Sequence, residues 1–441
     1  MMGARNDLAA RLITGLCIFL GIALQIQASS DFIDGFRGIR LNLADIALPF
    51  AGLFILFSLL RRTSALPAWA LRGSIIWPVV LTGLILLSFI NGYFALGYPS
   101  SWAVANKLVG WFVLMAFFAL GAWITTNGPE RTTSAFIKSL SVAFLILTII
   151  GSMAIFLHIL WPDQFMPLFR YQLKALMGNR NAYALLLIFV VCLFFTLHLS
   201  GRRTIPLWVL DGFWICLPIL MMLNASRAAW ITIPALIFIM GLYHRKKTAL
   251  RILILIAIGI TPVFLLYKIN PKIVFRENQL DRIGILKEYA TTENPDTQAL
   301  MRKGRNYKGD VIRLRVFQDA ISMWKEKPFT GTGLGTFIED QKEKYTEPND
   351  IIDVIDSTPL WLLTETGVIG LSLFSAFYIM CLWSLWRNGK AMETDLDVLR
   401  MAVFFGLIGF AAMSLLHELL YSRYLWFMLG LSLAVPKMRP A

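Results

Sequence analysis

Apolar runs close to twenty residues long recur from "RLITGLCIFLGIALQIQ" near the start to "YLWFMLGLSLAV" near the end, and they leave few architectures open. A helix rising about 1.5 Å per residue crosses a hydrocarbon core of about 30 Å in about twenty residues. Within lipid every backbone N–H and C=O must be bonded inside the protein, so such runs fold as helices. Only 15% of the residues are charged and 57% are hydrophobic, whereas a soluble domain carries about 25% charged residues. The sequence therefore predicts an all-α, polytopic integral membrane protein.

About twelve spans are expected, near 12–28, 42–60, 75–95, 108–125, 139–161, 182–200, 207–223, 226–243, 250–267, 359–386, 400–418 and 423–436. The short connections alternate in charge. One set holds Arg61, Arg62 and Arg72, then Arg131 and Lys138, Arg202 and Arg203, Arg245 to Lys247 with Arg251, and finally Arg387, Lys390 and Arg400. The positive-inside rule puts this set and both termini in the cytoplasm. It also explains the net charge of +14 without nucleic acid. Arg5 and Arg11 precede the first run with no small-residue cleavage site, so this run reads as an uncleaved span. Cys17, Cys192, Cys216 and Cys381 all fall in apolar runs and suggest neither disulfides nor a zinc site.

This topology divides the chain into nine spans (1–267), one long outer loop (268–357) and three closing spans (358–441). A loop of that length is functional or a small domain in its own right. The topology also sorts the histidines. His198 and His244 fall at inner ends, His158 and His417 at outer ends.

Within the loop, "VIRLRVFQDAISMWKEKPFTGTGLGTF" repeats Phe317, Ala320, Ile321 and Trp324 at helical spacing, predicting an amphipathic helix near 311–325 that ends before Pro328. On that helix Arg313 falls on the apolar face with Phe317. Arg315 falls on the opposite, solvent face, four residues before Asp319. "GTGLGTF" lacks the Lys-Ser/Thr of a phosphate loop and reads as a tight turn back to the membrane. Other polar groups at the outer face are Arg180 in "LMGNRNAYALLL", Arg227 in "NASRAAW", Asp356 and Glu365 in "DSTPLWLLTETGVIGL", and His417, Glu418 and Arg423 in "SLLHELLYSRYLWF". "HELLY" lacks the second His of a zinc motif, and no acidic cluster looks like a metal site. Arginines suit a diphosphate through bidentate, charge-assisted bonds. A His or carboxylate suits removing a proton from a hydroxyl. Together they fit group transfer from a lipid-linked diphosphate, in which arginine stabilises the leaving group; no cofactor is called for.

These segments, in this order, resemble the O-antigen ligase/polymerase superfamily. "NASRAAW" is similar to its Ser-Arg-Gly-type motif. "IRLRVFQDAISMWKEKPFTGTGLGTF" is similar to its Arg-x-x-x-Trp…Pro-x-x-Gly-x-Gly segment, with Phe317 in the Trp position. "DSTPLWLLTETGVIGL" is similar to its His-Asn-x-x-Leu…Glu-x-Gly-x-x-Gly segment. The resemblance implies a GT-C-like membrane glycosyltransferase of the bacterial inner membrane, acting at the periplasmic face. Its donor would be an undecaprenyl-diphosphate-linked glycan and its acceptor a lipid A core, a glycan or a protein, giving a ligase, a polymerase or a protein glycosylating enzyme. Arg227 and Arg313, with Arg180 and Arg423 beside them, would bind the diphosphate. The family's usual His is replaced by Asp356. Either Asp356 serves as base, or His417 does, with Glu418 as a candidate orienting group. A transporter of the same lipid-linked glycan is the rival of a different class. It would spread its cations along a central path through inverted repeats, whereas here they gather at one face and no repeat is visible.

Overall fold

The structure is a computed structural model that describes residues 2–29, 40–60, 76–127, 130–161, 172–243, 246–269, 308–345, 354–388 and 392–432. Residues 61–75, 244–245, 270–307, 346–353 and 389–391 are outside the described residues, and with them the expected inner cations Arg61, Arg62, Arg72, Arg245 and Lys390, the inner-end His244, and much of the long loop.

A helix falls on each expected span. Nine precede the long connection: α1 (Met2–Ala23), α2 (Ala47–Leu60), α3 (Ile76–Leu96), α4 (Val109–Asn127), α5 (Glu130–Leu160), α6 (Arg180–Ser200), α7 (Leu207–Asn224), α8 (Arg227–Tyr243) and α9 (Lys246–Ile269). Within that connection lie α10 (Lys308–Glu326) and α11 (Thr336–Lys344), and after it come α12 (Thr358–Asn388), α13 (Asp395–Ser414) and α14 (Arg423–Ser432). Among the described residues eight helices are long and apolar enough to cross a membrane: α3 to α7, α9, α12 and α13. The other four expected spans fall on α1, α2, α8 and α14, whose described apolar parts are shorter. One antiparallel pair, β1 (Gln27–Ser29) with β2 (Arg40–Asn42), follows α1.

The bundle is arranged around α6. Its apolar residues run all round the helix, and 83% of its spanning window is buried, against 11% for α9. A helix apolar on every side belongs in a core or in lipid: α6 takes the core, and α9 turns Ile254, Ile258 and Phe264 outward. The Asn179 side chain accepts from the Ala182 N–H at 2.7 Å to start α6, and Gly201 in the left-handed region ends it. Against this centre packs α13, while α14 packs on α4, α1 on α5, and α7 on α9. Small residues bring α4 and α14 to backbone contact, where a Cβ on Gly430 would meet the Phe118 carbonyl.

The connection docks on α12. Buried Ile312, Val316, Ala320 and Met323 recur on one side of α10, which spans nearly the expected 311–325. Arg315 departs from expectation. It is buried, with its guanidinium 3.7 Å from the Tyr345 ring centre, while Asp319 accepts from Gln341 at 2.8 Å and Tyr345 at 2.9 Å. The solvent-side pair inferred from spacing does not form, because the chain around α11 covers that side of α10.

Beyond α10 the glycine segment is the expected tight turn, and it also repairs a broken helix. At Gly367 (φ 70°) α12 kinks. Backbone groups freed there are taken up by the loop: Thr332 N donates to Thr364 O (2.9 Å) and Gly333 N to Glu365 O (3.2 Å). In return Val368 N donates to Pro328 O (2.9 Å) and Ile369 N to Phe329 O (3.2 Å). Irregular backbone beside lipid-exposed helices persists only when protein satisfies it in this way.

Candidate functional site

Three helix N-termini meet at one end of the bundle. Arg180 is the first residue of α6, Arg227 the first of α8, and Asp356 stands two residues before α12. Each terminus presents the positive end of a helix dipole, a setting that favours anions. Buried Asn224 ties the first two together, donating to the carbonyls of Leu173 and Arg180, each at 2.8 Å. Ala225, in the left-handed region at φ 54°, then turns the chain into α8.

Across from them lies the turn between α13 and α14. Thr358, at the start of α12, pins it: its hydroxyl donates to the His417 carbonyl (3.2 Å) and accepts from the Leu419 N–H (2.8 Å). Buried His417 places Nδ1 3.3 Å from the Asn181 side-chain nitrogen, and the Asn181 oxygen lies 3.3 Å from the Ser226 hydroxyl. For Nε2 to take a proton, Nδ1 must carry its hydrogen and donate to the Asn181 oxygen. The Ser226 hydroxyl, both donor and acceptor, serves either orientation of that amide. Burial first, then the charges of Arg313, Arg180 and Arg227, push the His417 pKa down to about 4. Three of the four arginines expected to bind diphosphate therefore act on one unprotonated imidazole.

Arg313, half-exposed on α10, donates from Nε to Asp356 at 2.7 Å. The carboxylate in the family's usual His position thus holds an arginine. The two remaining candidates make other contacts. Arg423 grips Asp45 in a two-pronged ion pair (2.7 and 2.6 Å), joining α14 to the helical turn Leu43–Ile46 just before α2. Glu418, the candidate orienting group, lies in the turn of residues 415–422, 3.7 Å from Lys107.

That lysine went unnoticed in the sequence, where it sits at the edge of an apolar run. It lies on a widened π-helical turn, Ala103–Leu108, with its ammonium 4.2 Å from the Tyr421 ring centre and 4.6 Å from that of Trp361. Such turns recur at functional sites. Around it are three buried polar atoms without a hydrogen-bond partner among the described residues: Glu418 Oε1, Glu365 Oε2 and the Tyr421 hydroxyl. Burial, then Glu418 and Glu365, raises the Tyr421 pKa, keeping the phenol neutral. Asn181 is one of the outer-face polar residues of "LMGNRNAYALLL", but nothing local marks it as the neighbour of a residue 236 positions away. No group of three or more His, Cys, Asp or Glu among the described residues could hold a metal ion.

Residues 212–375 match the family model described as O-Antigen ligase. The match runs from within α7 into α12 and includes Arg227, Arg313 and Asp356. It supports the O-antigen ligase/polymerase superfamily, membrane enzymes of the glycosyltransferase kind that use lipid-linked glycans and acceptors. No curated protein matches the chain.

Proposed function

We propose that the chain is an O-antigen ligase-like inverting glycosyltransferase of the bacterial inner membrane, acting on the periplasmic side. The observation that carries this is the gathering of Arg180, Arg227 and Arg313 around unprotonated His417. An undecaprenyl-diphosphate glycan would set its diphosphate among the arginines and the N-termini of α6 and α8. His417 Nε2 takes the proton of an acceptor hydroxyl, whose oxygen attacks the anomeric carbon from the face opposite the diphosphate. The carbon–oxygen bond to phosphate breaks, and the electron pair leaves with the diphosphate, whose growing charge the arginines stabilise. As that anion approaches it offsets the arginines' pull on His417 and makes the imidazole a better base when the proton must move.

The test uses purified protein and a lipid-linked donor. Arg227→Ala and Arg313→Ala proteins that stay folded should each lose about 100-fold or more in transfer; full transfer in both overturns the reading. Intact donor moved across the bilayer would instead identify a transporter. In a deletion strain, full-length chains accumulating on the carrier mark a ligase, and single repeat units a polymerase.

A further inference from the structure

A cavity of about 450 Å³ opens at the far end of the bundle, between the C-terminus of α6, the turn after it, and the starts of α7 and α9. From Arg180 to this end α6 runs 21 residues, or about 30 Å, so the cavity is remote from the arginine site. Four cations line it: Arg202, Arg203, Lys247 and Arg251. Two are met by carboxylates, Arg202 by Asp395 (2.6 Å) and Arg251 by Asp211 (2.5 Å). Arg203 and Lys247, both exposed, leave the cavity an excess of two positive charges. His198 also lines it, its side chain only 5% exposed and its Nδ1 without a hydrogen-bond partner among the described residues. The remaining wall is apolar at Leu197, Ile205, Leu207 and Leu210 and carries one hydroxyl residue, Thr248. Beside it Trp208 is 77% exposed at the first turn of α7, the depth at which tryptophan marks a membrane–water interface.

We propose that this cavity binds the phosphate of an anionic membrane lipid, with Arg203 and Lys247 as charge partners, His198 Nδ1 as a buried polar contact, and the leucines against the first carbons of an acyl chain. Basic pockets between spanning helices suit such headgroups. A phosphate monoester or diester supplies the missing negative charge, and only a lipid also covers the apolar wall.

Protein purified in detergent is exposed to equal amounts of phosphatidylglycerol and phosphatidylcholine, and retained lipid is read by native mass spectrometry. Phosphatidylglycerol should be held preferentially. The double variant Arg203→Ala/Lys247→Ala should lower its retention roughly thirtyfold, and Arg203→Lys/Lys247→Arg should restore it. Arg387→Ala, which removes an exposed cation at the end of α12 away from the cavity lining, should change nothing. Equal retention of the two lipids, an equal loss in Arg387→Ala, or failure of the charge-conserving pair to restore binding overturns the proposal. Displacement of the lipid by an equal concentration of inorganic phosphate would show a free-anion site and overturns it as well.

Discussion

At His417 the surrounding charges fix the direction of proton linkage. Its pKa lies near 4 when folded and near 6.5 when unfolded. Between those values the unfolded chain binds a proton that the folded chain does not, so stability is full above about pH 6.5 and falls as pH drops toward 4. Thermal unfolding across this range should show that loss, amounting to about 3 kcal/mol at most, and His417→Gln should flatten it. Arg313→Gln removes the largest of the three cationic contributions, which raises the folded pKa and shrinks the acid loss; a larger loss would contradict the charge assignment. The same residues separate base from orienting group. His417→Gln should lower kcat by about 100-fold or more. Asp356→Asn loosens the hold on Arg313 and should act mainly on the donor's KM. The reverse pattern would make Asp356 the base. Of this centre, the sequence showed the arginines and the histidine as residue types at one face. It could not show that Asp356 pairs with Arg313 or that Asn181 meets His417, because those contacts join distant segments through the third dimension alone.

Between elements, the His417 turn is held not only by Thr358 but also by Lys107, 4% exposed, against Glu418. Removing one partner of a buried pair leaves the other charge uncompensated, so Lys107→Met should cost about 3 kcal/mol in thermal unfolding. Adding Glu418→Gln should recover part of it; a strictly additive double variant would mean that the two do not interact. A second joint is the kink of α12. Gly367 adopts a left-handed backbone, and a Cβ there would lie 2.6 Å from Gly331 N. Gly367→Ala should therefore destabilise by at least about 2 kcal/mol, and Gly97→Ala, equally left-handed but facing open space, by about 1 kcal/mol. Helical period located α10 to within a few residues, since burial of one face follows from spacing. It misassigned Arg315 because Phe317 was used to mark the apolar face, whereas the buried row runs through Ile312, Val316 and Ala320 and the chain around α11 covers the next side. Spacing describes one helix; what covers it is written elsewhere in the chain.

For the molecule as a whole, hydrophobic length and loop charge were the legible signals, and every expected span coincides with a helix. Length alone does not decide whether α1, α2, α8 and α14 cross, since their described apolar parts are short. The bundle nevertheless has two distinct ends. At one, His417, Arg180, Arg227 and α11 gather; Ser100, beyond the end of α3, holds Glu339 of α11 at 2.7 Å. At the other, Arg202 pairs with Asp395 and the basic cavity opens. If positive charge marks the cytoplasm, these ends face opposite compartments. Lys342, with its side chain 45% exposed on α11, and Lys247, exposed at the start of α9, sample one each. Lys342→Cys should react with a membrane-impermeant maleimide in intact spheroplasts, and Lys247→Cys only after permeabilisation. The unsubstituted protein is the blank, because Cys17, Cys192 and Cys381 are buried and Cys216 lies in the middle of α7. Labelling in the reverse order would invert the topology and put the arginine centre in the cytoplasm, out of reach of a donor displayed outside. Equal labelling of both before permeabilisation would mean that the chain does not divide the two compartments between α9 and α11.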